Sequence, residues 1–86
     1  MMEEIGRITH YFPKISVAVV EVTAESLEVG ETIRIKGHTS DFTQSVESLQ
    51  QEHLSVPEVK KGGSAGMKVK EQVREGDKIY RIKEGA

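Results

Sequence analysis

With 86 residues, 36% of them hydrophobic, the chain has material for one core and no more. It has no cysteine, which excludes disulfide staples, thiolate catalysis and cysteine-based metal sites, and its longest apolar run, Val17 to Val20, ends at Glu21 far short of a bilayer span. The formal charge of -2 hides an acidic first half and a basic stretch from Lys60 to Lys83, where eight bases stand against Glu71, Glu75 and Asp77.

In chain order, Met1-Met2-Glu3-Glu4 is acidic where a secretory signal would be basic and then apolar, so it reads as the start of a cytoplasmic chain. Glu4 to Phe12 is the first expected strand, stopped by Pro13, which has no amide hydrogen to donate to a ladder. Ile15 to Val22 follows, apolar on both faces, as suits a central strand or one packed against a further surface. Gly30 then supplies the positive φ of a tight turn, and Ile33 and Ile35 alternate with Arg34 and Lys36 along the next strand.

From Phe42 to Val56 two periods compete. Phe42, Val46 and Leu49 have helical spacing, but Thr43, Ser45 and Ser48 are weak helix formers, and a β-bulge between Val46 and Leu49 would also change the inward parity. The strand is the preferred reading. Pro57 ends it, Gly62-Gly63 turns the chain, and Met67 and Val69 alternate with Lys68 and Lys70. Val73-Arg74-Glu75-Gly76-Asp77 repeats the device of Leu27-Glu28-Val29-Gly30-Glu31: an apolar residue three before a glycine, an acid after it, then an alternating strand to Ile82. The tail Lys83-Glu84-Gly85-Ala86 reads as a frayed end. Together these pieces predict an all-β domain of six or seven strands closed into a small barrel, a single unit over 1–86 with its core at about 4–83.

Gly62-Gly63-Ser64-Ala65-Gly66 spells the G-x-S-x-G of a serine-hydrolase elbow, but that motif needs a helix after it, and here an alternating strand pattern follows. No Gly-Lys pair exists to form a phosphate loop, so no nucleotide cofactor is expected. His10, His38 and His53 lie on separate segments without metal-ligand spacing and read as surface residues. Glu25, Glu28 and Glu31 read as a solvated cluster around a turn, and no acid and base pair stands out for general catalysis.

The succession Gly6-Arg7-Ile8, Leu27 to Gly37, Phe42, Val46-Glu47-Ser48-Leu49, Gly66 to Val69 and Arg74 to Tyr80 resembles domain II of translational GTPases such as elongation factor Tu, over nearly the whole chain. The resemblance implies a closed barrel and a non-catalytic module that binds tRNA, ribosomal RNA or a translation-related protein. The 86 residues include no nucleotide-binding domain, so GTP hydrolysis is not expected of them. By that resemblance Glu47 falls on the strand that helps line the family's acceptor-end pocket, and Ser64 falls in the turn close to it. Lys60, Lys61, Lys68 and Lys70 would supply phosphate contacts, with Tyr80 or Tyr11 as stacking surfaces. A second resemblance is to the carboxy-terminal barrel of collagenase-like peptidases, which implies an accessory protein-interaction module without catalytic residues. In that case the doubly apolar strand around Val17 and Val19 is the docking face, a homodimer being one form of it.

Overall fold

A computed structural model describes residues 2–82, so Met1, the tail from Lys83 onward and the readings placed on them lie outside the described residues. Ten strands follow one another without a helix among the described residues: β1 (Met2–Phe12), β2 (Val17–Val22), β3 (Ser26–Glu28), β4 (Thr32–Lys36), β5 (Asp41–Ser45), β6 (Leu49–Gln51), β7 (Leu54–Ser55), β8 (Glu58–Lys60), β9 (Ser64–Lys68) and β10 (Lys78–Ile82). Eight form one antiparallel sheet in the order β5-β4-β10-β1-β2-β9-β6-β7, and β3 pairs with β8 in a small second sheet.

The expected six or seven strands become ten because β3, β6, β7 and β8 are only two or three residues long, too short for a periodic signal. The expected closed barrel is also corrected. Closure requires a continuous ladder between first and last strands, and β5 pairs only with β4. The sheet nevertheless curls. β1 is bent by register shifts between Glu4 and Gly6 against β10 and between Ile8 and His10 against β2, each of the kind that kinks a strand.

The concave side holds one cluster of aliphatic side chains, including Ile5, Ile8, Val20, Val22, Leu27, Ile33, Ile35, Leu49, Met67 and Ile79, all at most 1% exposed. Fully burying a side chain of this size contributes about 1.5–3 kcal/mol, so a core without tryptophan is sufficient only because so many contribute. β2 alternates: Ala18, Val20 and Val22 face inward, while Val17 and Val19 lie half-buried on the outer face. Between Phe42 and Val56 the strand reading holds at β5, β6 and β7. The expected bulge is instead a break, because residues 46–48 leave the β5 edge and carry the chain to the far side of the sheet.

The Gly30 and Gly76 turns are one device used twice. Their φ angles are +98° and +92°, the positive values needed at the third position of a type II turn. The Glu31 N–H donates to Glu28 O (3.3 Å) and the Asp77 N–H to Arg74 O (3.1 Å). Each acid then accepts in return, Glu31 Oε1 from the Glu28 N–H (3.1 Å) and Asp77 Oδ2 from the Arg74 N–H (3.0 Å). The strands these turns launch, β4 and β10, pair antiparallel and place Ile33, Ile35 and Ile79 in the core.

Candidate functional site

Gln44 is the polar exception at an inward position of β5, only 9% exposed between Phe42 and Val46. Its Nε2 donates to Lys68 O (2.9 Å) and its Oε1 accepts from the Lys70 N–H (2.9 Å). One side-chain amide thus does between β5 and the end of β9 what a ladder step would do in a closed barrel. Above it lies a groove of about 550 Å³ lined by Thr32, Thr43, Ser45, Glu47, Lys68 and Lys70 around Gln44 and Val69. Sequence reasoning passed over Gln44, although a polar residue between two core positions of one strand is itself a signal that its amide has buried partners.

Three of the six expected binding residues, Glu47, Lys68 and Lys70, meet in this groove. Glu47 stands on the irregular 46–48 connection, not on a strand as the resemblance implied. Lys60, Lys61 and Ser64 lie at the other end of β9, about 13 Å away at strand pitch. There Lys60 pairs with Glu58 (3.4 Å) on β8, and Ser64 opens β9 opposite Glu21. Ser64 was expected in a turn; the turn is at Gly62, and a strand follows it, not the helix of a nucleophile elbow.

The basic stretch does not survive as a surface stripe. Lys78 pairs with Glu4 (3.3 Å) and Arg81 with Glu3 (3.3 Å), because β10 lies beside the acidic start of β1. Arg81 Nε also reaches Glu31 Oε2 at 2.6 Å, and this hydrogen bond holds its guanidinium above its usual pKa. Glu31 is therefore an engaged, part-buried acid and not a member of a solvated cluster. Tyr11 packs against the core from β1, and Tyr80 is half-buried on β10, about 23 Å of strand from Tyr11's position in the β1–β10 register. They form no common stacking platform.

His10, His38 and His53 are exposed, and no group of three metal-ligating side chains occurs among the described residues. Of the large apolar side chains exposed among the described residues, Val29 stands in the β3–β4 turn and Leu54 on β7, while Phe12 and Ile15 come together on the β1–β2 hairpin. Phe12 is 44% and Ile15 59% exposed, and Phe12 lies opposite Val17, with Val19 next along the same outer face. Lys68 is the β9 neighbour of Val17, so this patch adjoins the groove.

This geometry defines a small antiparallel β domain with an apolar hairpin tip and a polar groove beside it. The C-terminal domain of a protein of Geobacillus thermoleovorans described as a U32 peptidase has the same fold, with a TM-score of 0.87 at 19% identity over 94% of this chain and 93% of that one. In sequence the chain is 42% identical over 82 residues to an uncharacterized protease of Methanocaldococcus jannaschii, covering 94% of this chain and 20% of the protease. It is 36% identical over 79 residues to a collagenase of Porphyromonas gingivalis, covering 91% of this chain and 22% of the collagenase. No protein-family model matches the chain. The chain spans about a fifth of the length of the curated relatives it matches.

These findings overturn the elongation-factor reading and with it the expected RNA-binding role, since the relatives are proteases. The resemblance to the barrel appended to collagenase-like peptidases is the one they support. The turn patterns that suggested elongation factor Tu reflect what a Gly-acid turn into a strand requires, which many antiparallel folds share.

Proposed function

We propose that the chain is a non-catalytic accessory domain of a collagenase-like peptidase, packing on the catalytic portion through the outer face of the β1–β2 hairpin. The observation that carries this reading is the lopsided match: 94% of this chain aligns to only 20% of a protease, leaving the greater part of that protein to hold the chemistry. Ser64, in a strand rather than on an elbow, gives no reason to place a nucleophile here. Phe12, Ile15, Val17 and Val19 supply the apolar surface that a packed interface would cover. A cysteine-free sequence suits a reducing, cytoplasmic setting.

The test uses the purified chain with gelatin, and calorimetric titration against the part of the Methanocaldococcus protease outside the matched segment. The expected result is no cleavage by the chain alone and a complex that F12E/I15E abolishes. Cleavage that S64A removes would make the chain an enzyme. A concentration-dependent dimer, broken by the same double variant and indifferent to the protease, would assign the face to a second copy instead.

A further inference from the structure

The backbone hydrogen bonds at the two ends of the β4–β5 ladder fix which backbone groups of β5 are used. The Val46 N–H donates to Glu31 O and the Gly37 N–H to Ser40 O, so in the antiparallel register between them the hydrogen-bonded pairs are Ile33 with Gln44 and Ile35 with Phe42. Thr43 therefore turns its N–H and C=O away from β4, towards an edge with no neighbouring strand among the described residues.

That edge forms one wall of the groove, and Lys68 and Lys70 form the other. Both lysines are exposed, and neither ammonium has an ion-pair partner among the described residues. They stand two residues apart on one side of the chain, about 7 Å, a spacing at which both can reach one carboxylate. The Gln44 amide is the floor, its hydrogen bonds already taken by Lys68 and Lys70.

We propose that this groove binds an extended peptide segment bearing a carboxylate, which adds to the free edge of β5 through the Thr43 backbone and sets its acid between Lys68 and Lys70. A sheet edge presents donors and acceptors at the pitch of another backbone, which is the chemistry of strand addition. Two ammonium groups against the single carboxylate of Glu47 favour an acidic side chain within the segment. The site goes beyond the accessory-domain reading and does not depend on it.

The probe is a capped heptapeptide of alternating valine and threonine with a central aspartate, titrated into the ¹⁵N-labelled chain and followed by amide shifts. Expected are shifts concentrated at Thr43, Ser45, Lys68 and Lys70, slowed exchange of the Thr43 amide, and at least tenfold weaker binding when asparagine replaces the aspartate. T43P removes the donor without touching the β4–β5 ladder, and K68Q/K70Q removes the charge; each should weaken binding at least tenfold. Should T43P fail to fold, K68Q/K70Q decides alone. No shifts at millimolar peptide, shifts centred on Phe12 and Val17, or unchanged affinity in K68Q/K70Q would each overturn the proposal. A chain that binds this peptide but no peptidase would sink the accessory-domain reading and leave the groove standing.

Discussion

Gly37 and Asp77, forty residues apart in sequence, share one space: a Cβ at position 37 would overlap the Asp77 carboxylate. Asp77 has no room to yield. It is 4% exposed, and its Oδ2 already accepts from the Arg74 N–H. Gly37→Ala should therefore destabilise the chain by about 1–3 kcal/mol, as overpacking does elsewhere. Urea unfolding would read this as a lower midpoint, and an unchanged midpoint would show that the turn relaxes freely.

Gln44 offers a second test, since it ties β5 to the end of β9 with two hydrogen bonds. Gln44→Leu keeps the volume and strips both partners, leaving Lys68 O and the Lys70 N–H unpaired at a cost of about 1–2 kcal/mol. Hydrogen exchange adds a local signature: the Lys70 amide should lose protection while amides of β1 and β2 keep theirs.

Arg81 and Glu31 form a part-buried ion pair that joins the end of β10 to the Gly30 turn, with side-chain exposures of 25% and 18%. A double-mutant cycle with Arg81→Met and Glu31→Gln should give a coupling of about 1 kcal/mol, at the upper end for pairs that solvent still reaches. High salt should reduce it. Zero coupling at low salt would mean that Arg81 acts through its bonds to Ser26 O and Glu3 instead.

Asp41 is held below the usual carboxylate range chiefly by its hydrogen bond to Arg34, an effect that burial partly opposes and the charges of Arg34 and Lys36 reinforce. Arg34 Nε and Nη2 meet its two oxygens at 2.7 and 2.8 Å. A depressed native pKa means that the stabilisation is present above the ordinary aspartate range and is lost as pH falls through the native value. NMR titration should place the Asp41 midpoint below that of a model aspartate, and Arg34→Gln should return it to the ordinary range.

How far the fold could be read in advance follows from the range of each interaction. The Gly30 and Gly76 turns, the inward alternation of Ile33 and Ile35 and the stop at Pro13 are settled within a few residues, and the sequence displays them. The groove was half legible: Glu47, Lys68 and Lys70 were named, but for a phosphate partner and in company with Lys60 and Lys61, which β9 holds apart from them.

By itself the sequence determined an all-β chain with an aliphatic core, because period-two patterning and turn chemistry are local properties of the backbone. Only the tertiary structure decided that the sheet stays open with Gln44 bridging its gap, and that the bases of β10 meet the acids Glu3, Glu4 and Glu31. Those outcomes depend on which distant strands become neighbours. Net charge along a segment cannot show which partners a fold will set beside it.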